Sequence, residues 1–245
     1  MNLYSKVLKT NINNSILVYI MLKIAHRGCC FKYDYDRDEF SHCIKFKENS
    51  HLSYLNAIEN KFDYIEADVV LTKDKKLIMY HDFNIGSNLV KNLTYGEIYD
   101  LNSTIMTFED FLIKILPHIK VLLDIKGDSE TAYSIIEILK NNSVNLDNLH
   151  FCSFNFKHID ILHNYNNKLK LGLILDGVLL DKDKKILIEK YNIKFVSIYI
   201  EYLYPEEIEF YKKMNVLVFA WTNKSHITRR IIPDSVDGII TDYYF

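Results

Sequence analysis

Charged side chains stand at the ends of several short apolar runs in this chain. One run, "KIAHRG", leads into His26 and Arg27, and a later one, "LIMYHD", ends beside His81. Imidazoles titrate near neutral pH, so two of them at one site can serve as general acid and general base. An arginine beside them suits the binding of an anionic oxygen. These residue types therefore indicate acid–base chemistry on a phosphate ester.

Three acidic residues could form a metal site. Glu66 and Asp68 are two apart in an apolar run, so on a strand they face the same side, and Asp124 ends the next such run. Crowded carboxylates in apolar surroundings resist ionisation, and a divalent cation relieves this. Oxygen ligands suit Mg²⁺ or Ca²⁺ better than zinc. We predict one such cation here; the alternative is a buried salt-bridge network with Lys126 or Arg27.

Two basic residues complete the phosphate chemistry. Arg27 and Lys126 are predicted to hold the anionic oxygens of the ester. The metal would neutralise the charge that develops in the transition state and would orient the attacking oxygen.

The elements that must position these residues alternate between buried strands and amphipathic helices. Near-continuous apolar runs of this kind predict parallel strands covered on both faces. The predicted strands are Met21–Ala25, Tyr64–Val70, Val121–Ile125, His150–Phe154, Leu171–Leu175, Phe195–Ile200, Val216–Trp221 and Gly238–Thr241. Eight such strands predict an α/β fold, the (β/α)₈ TIM barrel, whose sites lie at the C-terminal strand ends.

One further apolar run, Leu77–Asp82, breaks the alternation. Only "TKDKK" precedes it, and a parallel crossover needs a dozen or more residues, so we predict an antiparallel arm after strand 2. A doubly wound open sheet is the alternative fold. The first strand is followed by no Gly-rich phosphate loop, which disfavours that alternative.

Bulk properties limit the class of protein. The 245 residues are 49% hydrophobic with a formal net charge of −2, so we expect a folded globular protein with no nucleic-acid partner. The four cysteines form neither a disulfide framework nor a zinc motif, which predicts reduced thiols and a cytoplasmic location. "SILVYIML" is too short to span a bilayer. Residues 1–20 are interpreted as an N-terminal extension and residues 21–245 as a single barrel domain.

The sequence resembles the glycerophosphodiester phosphodiesterase family over roughly residues 23–242. Six motifs occur in the family's order: AHRG, ENSHLSYLNAIENKFDYIEADVVLTKD, LIMYHD, LLDIKG, AWTN and DGIITD. The resemblance implies metal-dependent hydrolysis of a glycerophosphodiester to glycerol 3-phosphate and an alcohol. It implies that His26 and His81 are the catalytic pair. The other implied site residues are the metal ligands Glu66, Asp68 and Asp124, the phosphate contacts Arg27 and Lys126, Trp221 near the glycerol end, and Glu48 in a supporting position.

Departures from the family pattern keep two alternatives open. Asp124 stands where most members have Glu, a feature that resembles the sphingomyelinase D-type toxins. A phospholipase D-type enzyme acting on lysophospholipids, with or without cyclisation, is therefore the first alternative. It would make transient membrane contact through an apolar rim, with Phe31, Tyr33, Tyr35 and Phe40 as candidates. A catalytically idle barrel that binds a phosphorylated ligand is the second. The long segment 29–47 is either a lid or a surface insertion.

Overall fold

The computed structural model describes residues 21–28, 46–141 and 144–242. The predicted N-terminal extension over residues 1–20 lies outside the described residues. So do residues 29–45 of the predicted lid segment, together with the four aromatic residues proposed for a membrane-facing rim.

Eight parallel strands close into a barrel, which confirms the predicted fold. Their order around the barrel is β1, β2, β6, β7, β8, β9, β10 and β11, and β1 pairs with both β2 and β11. The strands are β1 Leu22–Ala25, β2 Tyr64–Leu71, β6 Lys120–Ile125, β7 Leu149–Ser153, β8 Lys170–Leu175, β9 Phe195–Tyr199, β10 Leu217–Asn223 and β11 Gly238–Thr241.

Helices surround the barrel and bury its outer face in the main hydrophobic core. They are α1 His51–Glu59, α2 Tyr95–Leu101, α3 Phe108–Lys114, α4 Ser129–Asn141, α5 Phe156–Tyr165, α6 Asp181–Tyr191, α7 Pro205–Lys213 and α8 His226–Ile231. Within the described ranges, none of these helices has the length and apolar character needed to cross a bilayer.

The run after β2 folds back on that strand, as predicted. Strand β3, Leu77–Met79, pairs antiparallel with the end of β2. A two-stranded hairpin follows, formed by β4 Asn84–Ile85 and β5 Asn88–Leu89. The hairpin and helix α2 are additions that the sequence analysis did not predict.

The barrel interior is filled by a layer to which every barrel strand contributes one apolar side chain. The members are Ile24, Tyr64, Leu122, Cys152, Ile174, Phe195, Phe219 and Ile240. Because side chains two apart on a strand share a face, the next inward-facing residue of each strand lies one level closer to the C-terminal end. This layer is therefore the floor on which a site can be built.

Candidate functional site

The predicted site residues lie directly above the apolar layer, at the C-terminal ends of the strands. His26 stands two residues beyond Ile24, and Asp124 stands two residues beyond Leu122. A cavity of about 160 Å³ opens at this level. Eight of the nine predicted site residues line it: His26, Arg27, Glu66, Asp68, His81, Asp124, Lys126 and Trp221.

Strand register brings the three carboxylates together. Asp68 on β2 is paired with Asp124 on the adjacent β6, and Glu66 lies on the same face of β2 as Asp68. Each of the three offers an oxygen, and these oxygens lie within 4.8 Å of one another. All three residues are buried, at 7% exposure or less.

Burial and neighbouring charges shift the pKa values of the three carboxylates in opposite directions. Burial, reinforced by the neighbouring Asp68 charge, raises the pKa of Glu66 to about 7. Burial also raises the pKa of Asp124 to about 6. At Asp68 burial is outweighed by the adjacent Lys126 and Arg27 cations, which hold its pKa below the usual range. The cluster therefore holds more negative charge than its neighbours compensate.

The donor set fits a hard divalent cation. All three candidate ligand atoms are carboxylate oxygens, the type that Mg²⁺ and Ca²⁺ prefer. The Oδ1 atom of Asp124 is buried without a hydrogen-bond partner among the described residues, which leaves a coordination position open. Asp68 is already held by Asn49, whose side-chain amide donates to Asp68 Oδ2 at 2.8 Å.

His26 is fixed in orientation by a carboxylate. Its Nδ1 lies 2.5 Å from Asp242 Oδ1, and its Nε2 lies 4.0 Å from Glu66 Oε2. Burial opposes protonation of His26, but the Asp242 hydrogen bond and the Glu66 charge outweigh it, so its pKa is raised. With Nδ1 held by Asp242, Nε2 is the ring nitrogen directed toward the carboxylate cluster.

His81 follows β3 and lies nearer the rim. Its Nδ1 is 2.7 Å from Asp82 Oδ1, so each of the two predicted imidazoles has a carboxylate on Nδ1. The His81 side chain is 32% exposed and that of His26 is 16% exposed. One imidazole is therefore deep in the cavity and the other stands at its opening.

Arg27 adopts a left-handed backbone conformation, with φ 50° and ψ 32°. Its backbone N–H donates to Glu66 Oε2 at 3.1 Å, and its Nη1 donates to Glu48 Oε2 at 2.8 Å. Its Nε lies 3.4 Å from Asp68 Oδ2. Glu48 does not line the cavity; it holds the guanidinium from outside.

Lys126 spans the two paired aspartates. Its Nζ lies 3.1 Å from Asp68 Oδ1 and 2.5 Å from Asp124 Oδ2. Burial opposes the charge on Lys126, but the two carboxylates outweigh this effect and raise its pKa. The ammonium also lies 5.5 Å from the ring centroid of Phe154. It is thus a permanent cation at the cavity wall.

Aromatic side chains form a further part of the cavity wall. Trp221 on β10 packs edge-on against Phe154, with ring centroids 5.6 Å apart, and against Tyr199 at 5.0 Å. Its Nε1 donates to the backbone oxygen of Ser197 at 3.1 Å, which fixes the indole plane. The cavity therefore has a charged side and an apolar side.

Two residues that organise the site, Asp242 and Asn49, had no role in the sequence-based predictions. The Asn49 side-chain oxygen accepts hydrogen bonds from the Asp68 N–H and from the Tyr54 hydroxyl. The signal for Asn49 was present, since it directly follows Glu48 in the motif that begins ENSHLS.

Comparison with known sequences places the chain among phosphodiesterases. The model of the glycerophosphoryl diester phosphodiesterase family matches residues 26–244. A glycerophosphodiester phosphodiesterase from Caldanaerobacter subterraneus subsp. tengcongensis is 28% identical over 219 residues, covering 80% of this chain and 88% of the relative.

Solved structures share the fold. A glycerophosphodiester phosphodiesterase from Thermotoga maritima has a TM-score of 0.71 at 23% identity, covering 91% of this chain and 95% of its own. An Oleispira antarctica phosphodiesterase, solved in complex with the product sn-glycerol-3-phosphate, has a TM-score of 0.73 at 18% identity and covers 90% of this chain and 92% of its own. At these identities the likeness concerns the barrel alone. The family match, which spans nearly the whole described barrel, shows that this chain belongs to the glycerophosphoryl diester phosphodiesterase family.

Proposed function

We propose that this chain is a divalent-metal-dependent enzyme that hydrolyses glycerophosphodiesters to glycerol 3-phosphate and an alcohol. Family membership supports the phosphodiesterase activity. The single observation that carries the metal-dependent mechanism is the convergence of three buried carboxylates and two carboxylate-held imidazoles on one cavity.

Glu66, Asp68 and Asp124 are the proposed ligands of one Mg²⁺ or Ca²⁺ ion. When bound, the ion supplies positive charge that stabilises the phosphoryl oxygens in the transition state. The short Asp124 side chain suits this role because its register partner Asp68 lies directly beside it. Asn49 and Lys126 keep the Asp68 carboxylate in place through hydrogen bonds and charge.

His26 and His81 are the proposed acid–base pair. The deep His26, oriented by Asp242, takes the proton from the neighbouring glycerol hydroxyl as its oxygen bonds to phosphorus. After the alcohol has left, water opens the resulting cyclic phosphate to glycerol 3-phosphate. His81, at the opening, delivers a proton to the departing alcohol oxygen as the bond from phosphorus to that oxygen breaks. This assignment follows their depth, because the leaving alcohol must depart toward solvent.

Arg27 and Lys126 are the proposed phosphate contacts. Both cations already face the cavity and both lie beside Asp68, so a phosphodiester anion can replace part of their present ion pairing. Trp221 provides the apolar surface proposed to lie against the glycerol carbons.

Alanine substitution of either histidine tests the acid–base assignment. His26→Ala and His81→Ala should each lower turnover of glycerophosphocholine by about 100-fold or more, because each removes one proton-transfer group. Circular dichroism should show an unchanged fold. His118→Ala, at an exposed position away from the cavity, is the matched control and should retain full activity. Unchanged turnover in either cavity variant would refute the assignment.

Four broader features belong to the same proposal. We propose that residues 21–245 form one catalytic domain, which the family match and the closed barrel support. The cytoplasmic location stays a prediction from the cysteine content. The absence of a nucleic-acid partner, which the mixed charge favours, also stays a prediction. Transient membrane contact is a prediction as well.

A further inference from the structure

A second, larger cavity is lined by residues that neighbour, in sequence, several of those lining the proposed catalytic cavity. Its volume is about 440 Å³, against about 160 Å³ for the catalytic cavity. Residues close together in sequence line the two cavities. His81 lines the catalytic cavity and Phe83 lines the second one; in the same way, Lys126 lines the first and Gly127 lines the second. We call the larger one the side cavity.

The described catalytic cavity is small. Its volume of about 160 Å³ lies below the roughly 300–1,000 Å³ that is typical of small-molecule sites. The proposed proton donor to the leaving alcohol, His81, is the residue nearest in sequence to the side-cavity wall at Phe83. In the chain, the proposed proton donor thus lies two residues from the wall of the side cavity.

The lining of the side cavity combines apolar surface with an excess of cations. Phe83 and Leu89 expose 57% and 40% of their surfaces, and exposed apolar groups beside a cavity mark ligand sites. Its charged lining residues are the cations Lys73, Lys75 and Lys91 and the carboxylates Asp128 and Glu130.

Lys91 is the cation that stands out among these. Lys75 forms an ion pair with Glu130. Lys73 acts on Glu97, whose pKa is lowered mainly by hydrogen bonds from Thr94 and additionally by the lysine charge. Within the described ranges, Lys91 has no ion-pair partner within 4.0 Å. Its ammonium is thus available for an anionic group of a ligand.

We propose that the side cavity receives the leaving alcohol of the diester and that Lys91 favours alcohols that carry a negative charge. This inference rests on the proposed function, since it assumes the diester hydrolysis. It names the substrate class: glycerophosphodiesters whose head group bears a carboxylate or phosphate, in preference to cationic head groups.

Glycerophosphoserine and glycerophosphoethanolamine test this preference, because serine differs from ethanolamine by one carboxylate. Wild-type kcat/KM should be about threefold higher for the serine diester, the size expected of one charge pair near solvent. The preference should shrink at about 1 M salt, where screening is strong. Lys91→Gln should abolish the preference by lowering kcat/KM for the serine diester relative to that for the ethanolamine diester.

Lys157→Gln is the matched control, since Lys157 is also exposed but lines neither cavity. An equal rate on both diesters in the wild type, or a preference that survives Lys91→Gln, would overturn the inference. Absence of hydrolysis of both diesters would instead overturn the proposed function, so the two failures are distinguishable.

A separate observation concerns Ser197, on the apolar side of the catalytic cavity. Ser197 lines that cavity and is only 2% exposed, yet its hydroxyl has no hydrogen-bond partner among the described residues. A buried hydroxyl without a partner costs free energy, which a ligand hydroxyl can recover. The backbone oxygen of the same residue holds Trp221 in place.

We infer that the Ser197 hydroxyl hydrogen-bonds a hydroxyl of the glycerol moiety. This inference also rests on the proposed function. A site built to bind a hydroxyl discriminates against the analogue that lacks it. The probes are glycerophosphoethanolamine and its analogue in which 1,2-propanediol replaces glycerol and so lacks the terminal hydroxyl.

Wild-type kcat/KM should be about tenfold higher for the glycerol diester than for the propanediol analogue, as expected for one hydrogen bond. Ser197→Ala should remove that preference and should leave the thermal midpoint equal or higher, because it deletes a buried unpaired group. Equal losses on both substrates in Ser197→Ala, or no wild-type preference, would contradict the inference. If neither substrate reacts, the proposed function fails instead.

Discussion

At the scale of single residues, the site depends on carboxylates that orient imidazoles. Asp242 contacts Nδ1 of His26 and directly follows β11, the last barrel strand. Asp82 contacts Nδ1 of His81 and lies just beyond β3, the antiparallel arm. The sequence could indicate that His26 and His81 come together, because both end apolar runs. It could not show that Asp242, more than 200 residues from His26, would be the group that orients it, since that contact depends on barrel closure.

Asp242→Asn tests this orientation. An amide can donate to Nδ1 and so favour the wrong tautomer of His26, which the carboxylate excludes. We expect turnover to fall by about 100-fold with KM little changed. Steady-state kinetics would measure turnover and KM, and the turnover of His26→Ala gives the lowest value expected. Full turnover in Asp242→Asn would mean that the 2.5 Å contact has no role in catalysis.

The raised carboxyl pKa values predict how metal binding depends on pH. A protonated carboxyl does not ligate a cation, and in the metal-free protein Glu66 and Asp124 titrate at about 7 and about 6. Protons therefore compete with the metal as pH falls through this range, so affinity should decrease by more than about tenfold between about pH 8 and about pH 5.5. Isothermal titration calorimetry with Mg²⁺ and Ca²⁺ would measure this. A pH-independent affinity would contradict the assignment of these ligands.

At the scale of elements, the strands were easier to predict than their connections. Each barrel strand is a continuous apolar run, and the predicted ends fall within two residues of the observed ones, as at β10. Helix α3 ends at Lys114, although the apolar residues Ile115 and Leu116 follow it; Pro117, which cannot donate a helical hydrogen bond, lies just beyond. The β4–β5 hairpin was missed because strands of two residues have no readable period.

The connection after β6 is clamped by a buried histidine. His158 on α5 contacts the Asp128 backbone oxygen through Nε2 and the Ser153 hydroxyl through Nδ1, each at 2.9 Å. Ser153 in turn donates to the Ile125 backbone oxygen at 2.9 Å. His158 and Ser153 therefore hold Ile125 and Asp128, the residues at the two ends of the short segment that carries Lys126.

His158→Ala should destabilise the protein by about 2 to 4 kcal/mol, because it opens a cavity and removes the hydrogen bonds that the buried imidazole makes to Asp128 and Ser153. It should also lower activity, since the Lys126 segment loses its support. Urea unfolding gives the free energy of unfolding, and His118→Ala at an exposed position is the control. A loss below about 0.5 kcal/mol, the level of a neutral surface change, would argue against the clamp.

At the scale of the whole molecule, barrel closure is what makes the site. The layer of eight apolar side chains sets the depth at which the charged residues emerge, and closure brings the two chain-distant ends of the site, β1 and β11, side by side. The eightfold alternation in the sequence was sufficient to predict this architecture. The depth of the charged groups and the distances between them could not be predicted in this way, because they depend on how large side chains such as Phe195 fill the interior.

A substitution at Gly172 tests how tightly side chains fill the barrel interior. Gly172 pairs in register with Phe195, and a Cβ at Gly172 would lie 2.4 Å from the Phe195 ring. Gly172→Ala should therefore destabilise the barrel by about 1 to 3 kcal/mol through overpacking. At Gly177 an added Cβ meets no atom within 4 Å, so Gly177→Ala is the matched control and should be nearly neutral. Thermal unfolding compares the two, and equal midpoints would contradict the packing described for the interior.

Phosphorus NMR of the reaction products tests the central claim, metal-dependent hydrolysis at the carboxylate cluster, most directly. Glycerophosphoethanolamine would be incubated with Mg²⁺, with Ca²⁺ and with EDTA, using the wild type and Asp68→Asn. We predict a glycerol 3-phosphate signal in the wild type with at least one of the two metals, and none with EDTA or in the variant. Undiminished turnover in EDTA, or no turnover with either metal, would contradict the account.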